Sequence, residues 1–203
     1  MGKLHEGVWL PNEEVHLVEM MKPGAKRFAR LVDGRAAYQR HKYLRALDHV
    51  QHRRVFVDVG GHVGLWSMQA EDDFKTIIAF EPHPVHAELY RMNVSHATLH
   101  ECALGDDDRS ISLSTGNGSS GDTWVSGPGS IPMKKLDDFQ IERIDLLKID
   151  TEGYELPIVR GARDTLLRCK PVVVVEQKGR DERYHGEKKK ASPCRVHFVA
   201  RML

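Results

Sequence analysis

An apolar run that ends in an acid and opens directly into glycines constrains this chain more than any other segment. Val55-Phe-Val-Asp-Val59 reads as a strand, and its near-continuous apolar character fits a parallel strand covered on both faces. Gly60-Gly-His-Val-Gly64 follows as a tight turn, with a helix expected from Val63 to about Ala70. Thr76–Phe80 is a second apolar strand, closed by Glu81. Strand, glycine turn, helix and acid-terminated strand together make a nucleotide-binding unit. In such a unit small turn residues admit a ligand to the backbone, and the acid accepts hydrogen bonds from a ribose.

The remaining chain extends this pattern. Gly7 to about Gln51 reads as a polar, mostly helical lead-in, with Tyr43, Leu44, Leu47 and Val50 at helical spacing. A helix is expected from His86 to about Val94, separated from the second strand by Pro82 and Pro84. Thr98–Cys102 is a short third strand and Ile111–Ser114 a half-exposed one. Thr115–Pro132 is too glycine-rich to pack as regular structure and reads as a loop, either plainly exposed or a lid with Trp124 as its aromatic anchor. Ile144–Ile149 is a strand ending at Asp150, and Glu155 to about Leu167 a helix that tolerates Gly161. Pro171–Val175 is a strand ending at Glu176. The tail after Lys178 is charged, with Lys188–Lys190 a solvated run, until Val196–Val199 offers a last strand.

Strands alternating with helices imply an α/β fold with a doubly wound, mostly parallel, Rossmann-like sheet. A helical lead-in over 1–53 would precede a ligand-binding domain over 54–203. The ligand site is expected at the carboxyl ends of the strands, where Asp58, Glu81, Asp150 and Glu176 all fall. Like charges gathered there oppose stability unless a ligand, a cation or protonation compensates them.

The form of the turn separates two cofactors. A dinucleotide site wants G-x-G-x-x-G, but here His62 stands where the second glycine belongs and Asp58 lies just ahead. An anion beside a pyrophosphate is unfavourable, whereas S-adenosylmethionine brings an ammonium, a sulfonium and a ribose that suit an acidic rim. The totals exclude other classes. A net charge of +1 gives no field for nucleic acid or a membrane surface. The longest purely apolar run, about Val172 to Val175, is far short of a membrane span. The twelve histidines are scattered, and neither H-E-x-x-H nor C-x-x-C spacing gathers a metal site. Cys102, Cys169 and Cys194 are odd in number and far apart, and Met1–Glu6 has no apolar leader core, so a reduced, cytoplasmic setting is expected.

From Arg54 to Gln177 the chain resembles the FkbM-type family of S-adenosylmethionine-dependent methyltransferases. Asp58-Val-Gly-Gly-His-Val-Gly64-Leu-Trp-Ser resembles the family's D-V-G-A-x-x-G-x-x-S, and Ala79-Phe-Glu81-Pro-His-Pro its A-F-E-P-x-P. Ala103-Leu-Gly-Asp106 is similar to A-L/V-G-D after the third strand. Lys148-Ile-Asp150-Thr-Glu152-Gly153-Tyr-Glu155, with Gly161-Ala beyond it, is similar to K-I-D-x-E-G-x-E and its later L-x-G-A. The resemblance implies the class I methyltransferase fold, with a C-terminal strand pair here expected to be shortened. It also implies cofactor contacts. Gly60, Gly61, His62 and Gly64 would shape the turn around the methionine part, with Asp58 near its ammonium. Glu81 would hold the ribose beside Pro82. Cys102, Ala103 and Leu104 would lie by the adenine edge, and Asp150 would face the reacting methyl.

Methyl transfer needs in-line positioning more than covalent help, but a hydroxyl acceptor must also lose a proton. Asp150, Glu152 and His83 are the candidate bases, Asp150 first. The N/D-P-P-Y/F run of amino-methylating DNA enzymes is replaced by Asp150-Thr-Glu-Gly, so an oxygen acceptor on a small molecule or a sugar is expected. Plainer roles stand beside these. His62 reads as a turn residue, His83 as a cap of the helix after Pro82, and Glu155 and Arg160 as surface pairs. Trp66 reads as core, and the Tyr38-Gln39 pair either covers the cofactor or packs amphipathically. The alternative function is a catalytically silent methyltransferase-fold binding module; a nicotinamide oxidoreductase is disfavoured by the turn.

Overall fold

A computed structural model of the protein describes residues 2–21, 28–30, 34–116, 119–177 and 195–199. The chain opens with an antiparallel hairpin, β1 (Gly2–His5) and β2 (Val8–Pro11), turned at Glu6 and Gly7. A short helix α1 (His16–Met20) follows, then a second hairpin of β3 (Phe28–Arg30) and β4 (Ala36–Tyr38), then α2 (Arg40–Leu47). Among the described residues the lead-in therefore holds about as much strand as helix, and is not mostly helical as expected. Val8 and Leu10 are fully buried with Leu89 and Tyr90 while Trp9 between them is not, and burial at every second residue selects a strand. Asn93 locks the hairpin in place, taking the Trp9 N–H at 2.7 Å and donating to the Trp9 carbonyl at 2.8 Å.

The first half of the main sheet comprises β5 (Val55–Val59), α3 (Ser67–Ala70), β6 (Thr76–Phe80), α4 (Pro84–Asn93) and β7 (Ala97–His100). Pro84 sits in the first turn of α4, where its missing N–H has no helical partner to lose. A smaller sheet follows, built from β8 (Ala103–Leu104), β9 (Arg109–Thr115), β10 (Thr123–Pro128) and β11 (Ile131–Lys134) in the order β10-β9-β11-β8. About half of the expected Thr115–Pro132 loop is thus strand. Pairing with β9, which sets Trp124 opposite Ser114 and Val125 opposite Leu113, satisfies its backbone and overrides the weak propensity of serine and glycine.

The second half is β12 (Leu146–Ile149), α5 (Glu155–Gly161), α6 (Arg163–Cys169), β13 (Val172–Gln177) and β14 (Arg195–Val199). The single helix expected after Glu155 is split at Ala162. There the chain presses on Gly105 so closely that a Cβ on Gly161 would lie 1.8 Å from the Gly105 carbonyl oxygen. The main sheet runs β14-β13-β12-β5-β6-β7, parallel throughout except for β14. One antiparallel strand is therefore described beyond β13; Lys188–Lys190 and Cys194 lie outside the described residues.

The strand order reverses between β5 and β12, so a crevice opens at their carboxyl ends. Val57, Val59, Leu147 and Ile149 face a core shared with Ile158, Ile111 and Met133. Phe56, Leu146 and Val174 face the other way, under Tyr43, Trp66 and Phe74, so Trp66 is core. Among the described residues no helix is long and apolar enough to cross a membrane.

Candidate functional site

The glycine turn is fixed by backbone geometry. Gly60 has φ +74°, and a Cβ there would sit 2.0 Å from the carbonyl oxygen of Asp150, so the ends of β5 and β12 meet only because this residue has no side chain. Gly64, at φ +88°, is pressed onto Tyr90 of α4 and Val94 just beyond its end. His62 also adopts the left-handed region, at φ +50°. Its N–H donates to Glu81 Oε2 at 2.7 Å, which ties the turn to the end of β6.

Glu81 is buried, and its second oxygen accepts the His83 N–H at 2.9 Å and lies 3.5 Å from His86 Nδ1. Each carboxylate oxygen thus holds one backbone N–H, which aims the group without filling its acceptor capacity. His83 occupies the cap position of α4, and its ring stacks on His86 with centroids 4.1 Å apart. Burial, then the neighbouring His86, lower the His83 pKa against the pull of Glu81. The ring is not in the lining of either hollow described below, and the His83 side chain makes no capping hydrogen bond to α4.

At the end of β12 the chain turns through Asp150-Thr-Glu-Gly, with Glu152 in the left-handed region at φ +57°. Glu155 organises this turn. Its Oε1 accepts the Thr151 N–H at 3.0 Å, the Thr151 hydroxyl at 3.2 Å and the Gly153 N–H at 3.1 Å. The expected surface pairing of Glu155 is therefore corrected: the residue is buried beneath the turn. Arg160, which is exposed, lies 3.9 Å from Asp106.

Two hollows meet at this edge. The inner one, a cavity of about 80 Å³, has Glu81, Pro82, Cys102, Ala103 and Leu104 in its wall, with Trp124 and Val125 of β10 across from them. Burial pushes the Cys102 thiol up to about 11, against a smaller opposing effect of Lys134. The outer one, a cleft of about 710 Å³, is lined by Tyr38, Gln39, His41 and Lys42 of the lead-in, together with Gly61, Lys148 and Glu176. Gly60, His62, Asp150 and Glu152 lie in the walls of both.

Of the four strand-end acids, Glu81 and Asp150 reach the inner cavity and Asp150 and Glu176 the cleft. Asp58 reaches neither. Its side chain is fully buried, with Lys148 Nζ 3.0 Å from one oxygen and the Ser67 hydroxyl donating to the other at 2.7 Å. Lys148 is the compensating cation that sequence reasoning missed. Glu176 accepts from Gln39 Nε2 at 3.3 Å and sits 3.4 Å from Lys42 Nζ, so the start of α2 is docked over the end of β13. Glu14 was missed as well. It is buried, and its Oε2 accepts both the Ser120 N–H, at 2.7 Å, and the Ser120 hydroxyl, while Ser120 Oγ lies 2.8 Å from His62 Nε2. The tip of the β9–β10 hairpin is thereby held over the glycine turn. Among the described residues no cluster of three or more His, Cys, Asp or Glu is placed to hold a metal ion.

A family model described as the methyltransferase FkbM domain matches residues 58–189. The chain belongs to the FkbM methyltransferase family. It is similar to Methyltransferase 1 of Beauveria bassiana (strain ARSEF 2860), at 27% identity over 156 residues that cover 59% of this chain and 63% of that protein. The FkbM-family chain thus spans less than two thirds of that curated relative's length. The solved structures similar to it include two named as methyltransferases. Methyltransferase FkbM from Methylobacillus flagellatus KT has a TM-score of 0.43 and 20% identity, over 60% of this chain and 32% of that one. Precorrin-6y C5,15-methyltransferase from Geobacter metallireducens GS-15 has a TM-score of 0.46 and 15% identity, over 78% and 72% of the two chains.

Proposed function

We propose that this FkbM-family protein is a cytoplasmic S-adenosylmethionine-dependent methyltransferase whose acceptor is a hydroxyl oxygen of a small molecule or a sugar. The observation that carries the reading is Glu81. Its carboxylate is aimed by the His62 and His83 N–H groups at the rim of an apolar cavity and keeps acceptor capacity for a ribose diol. Phe80, Leu104, Val125 and Ile158 supply walls that suit a flat purine. A volume of about 80 Å³ is well below the roughly 300–1,000 Å³ of ordinary ligand pockets. The cofactor therefore extends past Gly60 and His62 into the cleft, or the hairpin tip at Ser120 moves outward to admit it.

S-adenosylmethionine supplies a methyl group activated by its positive sulfur. The chain's part is positioning and proton removal. Gly60 lets β5 and β12 close on each other, which sets Asp150 beside the turn. Asp150 and Glu152 stand on the wall between cavity and cleft, where an acceptor held by Tyr38, Gln39 and His41 would present its hydroxyl. Asp150 is the first choice of base because it ends the strand at the point where the sheet order reverses.

The test is calorimetric titration with S-adenosylhomocysteine, with NADH as control. The native chain should bind the former at micromolar level and not the latter. Glu81→Gln, which keeps the shape and removes the charge, should weaken binding by about tenfold or more, the worth of one charge-assisted hydrogen bond. A folded chain that binds nothing would sink the reading in favour of the silent module. Screening hydroxylated acceptors by mass, for a product in which a methyl replaces a hydrogen, then tests the transfer itself.

A further inference from the structure

The register of two adjacent strands gives the Asp58–Lys148 pair a definite job. Lys148 on β12 is the direct neighbour of Asp58 on β5, and both side chains leave the same face of the sheet. The ammonium has three protons and three acceptors within reach: Asp58 Oδ1 at 3.0 Å, the Gly60 carbonyl at 2.6 Å and the Val59 carbonyl at 3.4 Å. One of the three is a carbonyl of the glycine turn, and another is the carbonyl of Val59, the last residue of β5 before it. The Asp58 oxygen nearest the ammonium is held by the ion pair alone, and the other takes the Ser67 hydroxyl from the start of α3. With no exposed surface and no place in either hollow's wall, its carboxylate faces Lys148 and not a ligand.

Resting on the cofactor reading above, we propose that Asp58 and Lys148 are positioning residues that hold the Gly60 turn in its binding shape, and that Asp58 makes no contact with the cofactor's amino-acid end. Burial works against the Lys148 charge, but Asp58, Asp150 and Glu176 together outweigh it and raise the lysine's pKa, so the ammonium keeps its charge. Removal of one partner strands a buried charge, whereas removal of both does not. The double variant Asp58→Asn, Lys148→Met therefore folds where a single one fails, and it lacks the strut to the turn.

Two probes separate a contact from a strut. S-adenosylhomocysteine carries the amino-acid end and 5′-methylthioadenosine lacks it. By calorimetry, the double variant should lose about tenfold or more in affinity for both probes by the same factor, because a turn out of place harms every ligand that crosses it. The ratio of the two dissociation constants then stays at its native value. Selective loss of S-adenosylhomocysteine would overturn the proposal, since Asp58 would then be reading the amino-acid end. Native affinity for both probes would overturn it too, leaving the pair a matter of stability alone. A native chain that binds neither probe would remove the cofactor reading itself, and this inference with it.

Discussion

Replacing Glu155 with Ala withdraws the acceptor that organises the Asp150–Gly153 turn. Three donors lose their partner: the Thr151 N–H and hydroxyl and the Gly153 N–H. The Gly153 bond is buried, and a buried N–H left without an acceptor costs about 1–3 kcal/mol. The Thr151 groups are only partly buried, so water replaces some of what they lose. The total comes to about 2–4 kcal/mol. With a urea m-value of about 2 kcal/mol/M, the unfolding midpoint should fall by about 1–2 M. Glu155→Gln keeps an oxygen in the same place but loses the charge, so its shift should be about half as large. Urea unfolding followed by circular dichroism measures both, and S-adenosylhomocysteine affinity should fall alongside because the turn carries Asp150 and Glu152. A midpoint for Glu155→Ala within about 0.3 M of native would refute the role, as would a Gln variant as damaged as the Ala one.

Gly60→Ala forces a Cβ to 2.0 Å from the Asp150 carbonyl at a left-handed φ, and should cost about 3 kcal/mol or more. Gly61→Ala should cost less than half of that, since its nearest new neighbour is the Tyr90 ring at 3.0 Å; thermal melts of the two variants compare them directly. Stability should also fall on mild acidification. Burial, then His86, lower the His83 pKa, and burial, then Lys134, lower that of His100, so the unfolded chain takes up these protons first. Their contribution is complete above a pH of about 6.5 and is lost as the pH falls through the folded values. Urea midpoints should decline between about pH 7.5 and about pH 5.5, and the double variant His83→Gln, His100→Gln should decline less. Level midpoints in the native chain would contradict the assignment.

Asp58, Glu81, Asp150 and Glu176 could all be placed near one sheet edge from sequence, because an apolar run closed by an acid reads as a buried strand reaching its carboxyl end. Their directions could not. Whether Asp58 points to a ligand or to Lys148 depends on which residue of β12 lies beside it, and register is a property of two strands and not of either alone. Glu14 and Ser120 are 106 positions apart, and no local pattern announces that they meet. Glu155 belongs to the Lys148–Glu155 motif, yet its task depends on a turn that folds back over it.

What the sequence determined by itself was the alternation of strand and helix, the glycine turn and the family, since periodicity, turn chemistry and motif are written along the chain. Tertiary structure alone decided the strands of the lead-in and of β10, which exist through pairing and packing against distant partners. It also decided the fate of each charge. A buried carboxylate takes whichever cation or donor the packing brings to it, and that choice separated Glu81, which faces the cavity, from Asp58, which holds the turn.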